Sequence, residues 1–362
     1  MITISKSQQI FETLRREILS GKFSDVNRFS SEQQLVRRFH ASRTTIRLAL
    51  SQLKDEGILE TRNGSGTYLS ATAKRVSGRL GLIVPHIAGG EYSPAICAEI
   101  ATAVGDAGYT LLFGNASSSD PEERARRAIA LTEDYIAQDV AGVFLEPIEL
   151  VNNPSAITQR ITSLLDARGI PVVLIDRDIV PPPLRSCYDL VGIDNFQVGY
   201  RLTQHLIGCG ARQICCRTRP GSAPTVMLRV QGARSAILDA GLPWTSANIC
   251  CSEPDDLSGI ARLFSGKRQP DAFLCQNDLT AIALMRNLAA IGKKVPQDVL
   301  VAGIGDNRLA AMADPPLTSI RQPYRQIARA AVSALLQRLR EPSLPPRQIL
   351  LETQLVVRKS AR

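Results

Sequence analysis

From Leu80 to Ile304 the chain repeats one pattern, a short apolar run followed by a longer amphipathic stretch, and this alternation narrows the possible folds more than any other feature. The runs Leu80–Val84, Thr110–Phe113, Val140–Leu145, Pro171–Ile175, Leu190–Ile193, Gln213–Cys216, Ala272–Leu274 and Leu300–Ile304 read as strands. Pro94–Ala107, Glu122–Ala137, Ile157–Gly169, Val198–Gly208, Leu228–Gly241 and Leu279–Ile291 read as the helices between most of them. Continuous apolar strands joined through helices belong in parallel sheets covered on both faces. Right-handed crossovers then gather the functional loops at the carboxyl ends of the strands.

The first seventy residues follow a different plan. Ile10, Phe11, Leu14 and Ile18 share one helical face, and Gly21 closes that helix. Ser31 with Gln34 three residues on forms a capping-box pattern that starts a short second helix through Leu35, Val36 and Phe39. Ser42 can cap a third helix whose apolar stripe is Ile46, Ala49, Leu50 and Leu53. On the opposite side of that helix, near its N-terminus, lie Arg43, Thr44 and Arg47. An arginine fork can bond guanine O6 and N7, while hydroxyls and helix N-terminal amides hold phosphates. After Gly57, Ile58–Arg62 and Thr67–Leu69 flank an Asn-Gly turn signal and read as a hairpin.

Charge separates the same two regions. Residues 1–79 hold 14 Lys and Arg against 7 Asp and Glu, and the remaining 283 hold 29 against 27. A basic module on a nearly neutral body is the layout expected of a polyanion-binding head, because phosphate neutralisation supplies most non-specific DNA affinity. A solvated basic surface is the plainer alternative. No apolar window is long enough to span a membrane and no signal-peptide core opens the chain, so a cytoplasmic protein without membrane contact is expected. Eight cysteines show neither CxxC nor zinc spacing, and the pairs Cys215-Cys216 and Cys250-Cys251, beside or within apolar runs, read as small buried hydrophobes. The expectation is no metal and no cofactor.

The ordered set Leu14–Gly21, Ser31–Leu35, Ser42–Leu50, Asp55–Leu59 and Gly64–Thr67 closely resembles the winged helix-turn-helix domain of GntR-family regulators. The resemblance implies operator contacts from Arg43, Thr44, Thr45 and Arg47 on the third helix. It also implies a wing tip, Gly64 with Arg62 and Asn63 beside it, at the minor groove. Gln33 stands where the family often carries a DNA-contacting Arg or Lys, a loss that Arg37 and Arg38 can compensate.

In the body, Asp176-Arg177, Asp194-Asn195 and Asn277-Asp278 each follow a strand. Polar groups converging from separate loops suit a hydroxyl-rich ligand, whose buried hydrogen bonds must all be answered. Each is equally a helix cap or turn former, Asp194 and Asp278 in particular. Leu190–Gly199, His205–Gly210, Leu274–Asp278, Val295–Gly303 and Pro315–Gln322 look like the effector domain of LacI/GalR-family repressors, an α/β fold of two lobes similar to a periplasmic binding protein. The resemblance implies cleft contacts from Asp176, Arg229 and Asn277, with Tyr92 and Ser93 contributing from the first lobe. Where the family has a first Asp after Gly-Tyr/Phe, this chain has Gly305, and Asp306 is the available substitute.

The expected organisation is a DNA-binding domain over 1–70, a linker over 71–79 and an effector domain over 80–362. Chain crossings near 187, 322 and 345 would give lobe one 80–186 and 323–344, and lobe two 187–322 and 345–362. The expected partners are double-stranded operator DNA, a sugar-like effector and a second copy of the chain, since winged heads act in pairs on palindromic half-sites. A repressor whose operator affinity a small effector controls is expected, with effector-dependent activation and corepression by a purine-like ligand as alternatives. An enzyme carrying a DNA-binding head is the competing class. It is disfavoured by the lack of a Gly-x-Gly-x-x-Gly, Walker or Gly-x-Ser-x-Gly motif and by three scattered histidines, His40, His86 and His205.

Overall fold

The computed structural model describes residues 5–19, 29–62, 66–70, 78–84, 92–118, 120–149, 151–266 and 268–362. In the head, α1 (Lys6–Leu19), α2 (Glu32–Phe39) and α3 (Arg43–Asp55) precede an antiparallel pair, β1 (Leu59–Arg62) and β2 (Gly66–Leu69). The periodicity explains the packing: Ile10, Phe11, Leu14 and Ile18 from α1 meet Ile46, Ala49, Leu50 and Leu53 from α3 in one buried cluster. Both cap signals operate. Ser31 and Gln34 form the reciprocal box of α2, and Ser42 Oγ accepts the Thr45 N–H at 3.1 Å.

The body contains two six-stranded sheets. The first takes β3 (Arg79–Ile83), β4 (Thr110–Phe113), β5 (Gly142–Leu145), β6 (Val172–Ile175), β7 (Asp189–Ile193) and β13 (Gln348–Leu351), in the order β13-β7-β6-β5-β3-β4, all parallel. The second takes β8 (Ile214–Thr218), β9 (Ile249–Cys251), β10 (Ala272–Cys275), β11 (Leu300–Gly305), β12 (Thr318–Arg321) and β14 (Gln354–Val356), in the order β14-β12-β11-β10-β8-β9. Only β14 runs antiparallel there.

Alternation along the strands covers both faces of each sheet. In lobe one, Leu82, Phe144 and Val173 pack with α4 (Tyr92–Asp106) and α12 (Tyr324–Arg340). Ile83, Val143 and Leu174 face the other way, toward α5 (Pro121–Ala137) and α6 (Pro154–Asp166). In lobe two, Cys216, Leu274 and Ala302 meet α7 (Asn195–Gly208) and α8 (Pro224–Asp239). Cys215, Phe273 and Val301 meet α9 (Leu257–Ser265) and α10 (Asp278–Ala290). A short α11 (Arg308–Met312) follows β11.

Two of the expected chain crossings are corrected. The chain leaves lobe one after Ile193 rather than near 187, because β7 pairs with β6 from Val173↔Asp189 onward. It returns through Gln322-Pro323, since α12 packs on lobe one. The last crossing is at Glu352-Thr353 rather than near 345, because β13 pairs with β7 before β14 joins the second sheet. Residues 189–193 and 348–351 therefore belong to lobe one. Asp189 explains the placement. Its buried carboxylate accepts from Arg338 Nη2 at 2.9 Å and from the Arg347 backbone N–H at 2.7 Å, tying β7, α12 and the start of β13 into one unit.

Candidate DNA interface and effector cleft

The third helix presents Arg43, Thr44 and Arg47 to solvent, with Thr45 half-buried beside its cap. The stripe that buries Ile46, Ala49, Leu50 and Leu53 leaves these side chains on the outer face. Arg47 is paired with Glu32 of α2, Nε to carboxylate at 3.0 Å. Arg37 is exposed at the end of α2. Its neighbour Arg38 donates to Glu17 and lies 4.8 Å from the Phe39 ring centre. On the wing, Arg62 bonds Glu60 at 2.8 Å and sits 4.8 Å over the Tyr68 ring. Asn63 and Gly64 lie outside the described residues.

At the carboxyl ends of the lobe-one strands, Asp176 adopts a left-handed φ of 71° and its carboxylate accepts from Arg177 Nη1 at 2.7 Å. Arg177 is almost fully buried. It also faces Glu146 at 3.2 Å and Glu149 at 3.7 Å, and bonds the Pro147 carbonyl at 2.6 Å. Burial opposes its charge, but Glu149, Glu146 and Asp176 outweigh that and raise its pKa above the ordinary arginine value. Three carboxylates around one guanidinium leave this wall net negative and rich in acceptors.

Arg229, on α8, is buried against the opposite wall. Its Nε donates to Asn195 Oδ1 at 2.8 Å and its Nη1 to the Gln276 carbonyl at 2.6 Å. A cavity of about 400 Å³ is lined by Asp176, Arg177, Asn195, Phe196, Thr225 and Leu228 among others. Asp176 thus reaches the cavity, and Arg229 stands behind Asn195. Asn277 is exposed and caps α10, accepting the Thr280 N–H at 2.9 Å. The expected Asp278 cap is corrected by that bond. Asp278 is fully buried and accepts from Ser319 Oγ at 2.6 Å and the Asn307 N–H at 2.9 Å, joining α10 to β12 and the loop after β11. Asp194 does cap α7, through the Gln197 N–H at 2.9 Å.

Asp306 is not a free cleft carboxylate. Arg321 Nε and Arg358 Nη2 each approach one of its oxygens at 2.6 Å. Gly305 has a φ of 135°, and a side-chain carbon there would start 3.1 Å from the Asp278 carboxylate. Any larger residue would be strained and, if acidic, set against a like charge. Tyr92 and Ser93 open α4, and their side chains lie outside the described residues.

Asn195 lines the cavity, while Gln276 and Glu146, both buried, hold Arg229 and Arg177 behind it. Asn195 had a signal in its position after a strand, whereas Glu146 follows an apolar run with nothing to separate it from a surface acid. No group of three or more His, Cys, Asp or Glu with metal-binding geometry occurs among the described residues. Among the same residues no helix is long and apolar enough to cross a membrane.

Comparison with known proteins follows this division of the chain. Residues 6–69 match the bacterial regulatory proteins of the gntR family, and residues 203–361 match the periplasmic binding protein-like domain. The HTH-type transcriptional regulator CelR of Thermobifida fusca is 30% identical over 264 residues, 72% of this chain and 73% of that one. The chain belongs to the bacterial transcriptional regulators that join a GntR-type head to a periplasmic-binding-protein-like body. The arabinose metabolism transcriptional repressor of Geobacillus stearothermophilus is 26% identical and aligns over 99% of this regulator and 98% of its own length. In fold, the regulator is similar to the structure described as a transcriptional regulator CelR–cellobiose complex, with a TM-score of 0.67, 24% identity, and coverage of 95% of this chain and 99% of that one.

Proposed function

We propose that this regulator is a repressor whose paired heads hold a palindromic operator and whose body releases them when a sugar or sugar-like metabolite enters the cleft. The observation that carries the reading is the pairing of unlike walls. Glu149, Asp176 and Arg177 lie on one lobe, and Asn195, Arg229 and Gln276 are linked on the other. A polyol answers both, because each hydroxyl donates one hydrogen bond and accepts others. The names of the relatives support the class, cellobiose and arabinose being sugars.

Arg43, Thr44, Thr45 and Arg47 act on the DNA, assisted by Arg37 and Arg62 and by the wing tip at Asn63 and Gly64. In the cleft Asp176 acts directly, and Asn277, Tyr92 and Ser93 complete the set. Arg229 acts by orienting Asn195 and the backbone at Gln276. The mechanism needs no catalytic step. Effector binding biases lobe closure, closure biases the spacing of two heads in a homodimer, and spacing decides operator affinity.

The test is binding of the purified full-length regulator to its own upstream DNA, by gel shift and footprinting, with and without a panel of mono- and disaccharides. Protection of a palindrome that one sugar abolishes is the expected result. DNA binding that no sugar alters, together with no sugar-induced rise in melting temperature, would overturn the effector class.

A further inference from the structure

Arg217 is fully buried on β8, next to the edge strand β9, and among the described residues no carboxylate lies within 4.0 Å of it. A guanidinium stays protonated, and a buried charge is tolerated only when an opposite charge or strong acceptors answer it. Its neighbours are Cys250 Sγ at 3.3 Å from Nη1, the Ser252 hydroxyl, and the Glu253 carbonyl at 2.6 Å from Nη2. Of these only the sulfur can carry a full negative charge. Register places a second thiol beside it. Arg217 pairs with Cys250 across the strands, and Cys215, two residues earlier on β8, shares the face of Arg217 and lies next to Cys250 diagonally. Cys215 is buried, whereas Cys250 is only half-buried and so open to a small reagent.

We infer that Cys250 is a reactive thiolate held by Arg217, a site that hydroperoxides oxidise, with Cys215 as the thiol that resolves the product into a disulfide. Hydrogen bonding from Cys215 and the Arg217 charge together outweigh burial and hold the Cys250 thiol below its ordinary range, while Cys215 is pushed well above its own. This is the division of labour the reaction requires.

The Cys250 thiolate attacks the outer oxygen of the hydroperoxide. The O–O bond breaks, the alkoxide or hydroxide leaves and takes a proton, and Cys250 becomes a sulfenic acid. The Cys215 sulfur then attacks the Cys250 sulfur as its S–H proton is lost, the S–O bond breaks, and that proton and hydroxyl leave as water. The new bond joins β8 to β9. Arg217 loses its counter-ion and is left to the neutral acceptors Ser252 and Glu253, in the segment after β9 where Glu253 also pairs with Arg219 at 3.2 Å. The segment after Arg219 leads into α8, which carries Arg229.

The experiment treats the full-length regulator with limiting iodoacetamide at neutral pH, maps the label by peptide mass spectrometry, and repeats the mapping after hydrogen peroxide. Cys250 is expected to label roughly tenfold faster than Cys187 or Cys251, although both are more exposed. Cys251→Ser retains that fast label and Cys250→Ser abolishes it. Peroxide is expected to give a Cys215–Cys250 linked peptide, and in Cys215→Ser a sulfenic acid at Cys250 that dimedone traps. Faster labelling of Cys187 or Cys251 would overturn the thiolate assignment. A Cys250–Cys251 bond, or no Cys215–Cys250 link, would overturn the resolving role.

Discussion

The Nε of Arg47 donates to the Glu32 carboxylate at 3.0 Å, so a cation on the outer face of α3, proposed to meet DNA, is already held by the helix beside it. The pair is exposed, with Arg47 at 69% and Glu32 at 41%, and water screens it heavily. Glu32 therefore aims the arginine without trapping it.

The first prediction follows from that balance. Arg43→Ala and Arg47→Ala should each weaken operator binding by about 1–3 kcal/mol, the worth of a lost base contact. Glu32→Gln should leave affinity within about fivefold of the parent, since an exposed pair is worth less than about 1 kcal/mol. Fluorescence anisotropy at one fixed salt concentration measures all three. Unchanged affinity in both arginine variants would remove α3 from the interface.

Arg229 carries a different kind of cost. Its guanidinium satisfies Asn195 Oδ1 and the Gln276 carbonyl, both on buried residues. Arg229→Ala leaves those acceptors unanswered, at about 1–3 kcal/mol each. The variant should melt at a lower temperature and lose any sugar-induced rise in melting temperature, while operator binding without effector persists at temperatures where it stays folded. A full ligand response in calorimetry would show that Arg229 does not organise the cleft.

A third prediction concerns pH. Asp189 pays a burial penalty that raises its pKa, but hydrogen bonds from Arg347 and Arg338 overcome it and leave the carboxyl below the ordinary aspartate value. A carboxylate with a depressed folded pKa contributes stability above its unfolded pKa and loses it as pH falls through the folded one. Asp189→Asn should therefore melt below the parent at neutral pH, with the gap closing as pH drops through and beneath the usual carboxylate range. A gap that does not change with pH would mean that the ion pairs do not hold β7, α12 and β13 together.

Asp189 also marks where the sequence stops being legible. Signals that act over a few residues were readable: the Ser31–Gln34 box, the Ser42 cap, the α1 and α3 stripes, and the strand runs whose alternation the two sheets absorb. The crossings at Ile193 and Glu352 were not, because they depend on Asp189 meeting Arg338 and Arg347 about 150 residues away, and nothing local announces that contact. Cys250 does pack at the edge of a core cluster, but its charged neighbour was hidden for the same reason. Beside Cys251 it looks like a small hydrophobe, and only the pairing of β8 with β9 brings Arg217 to its sulfur. The cavity was half legible: Asp176, singled out in the sequence, lines it, but the double arginine clamp on Asp306 joins β12 to the chain end and has no local pattern.

The α7–α8 crossing in lobe two gives the last prediction. A side-chain carbon on Gly199 of α7 would lie 1.9 Å from the Arg229 carbonyl oxygen, and one on Gly232 of α8 would lie 1.9 Å from the Phe196 carbonyl oxygen. Each helix thus sets a glycine against the other's backbone, which cannot yield as a flexible side chain would. Gly199→Ala must push α7 and α8 apart, and overpacking of this kind costs about 1–3 kcal/mol or more. Because the moved backbone is that of Arg229 itself, the substitution should lower the melting temperature and weaken effector binding together. Gly208→Ala, on the same helix with open space around it, is the control and should change neither by much. Equal melting temperatures for the two variants in differential scanning calorimetry would show that the α7–α8 contact is looser than this geometry, and that the Arg229 position does not depend on it.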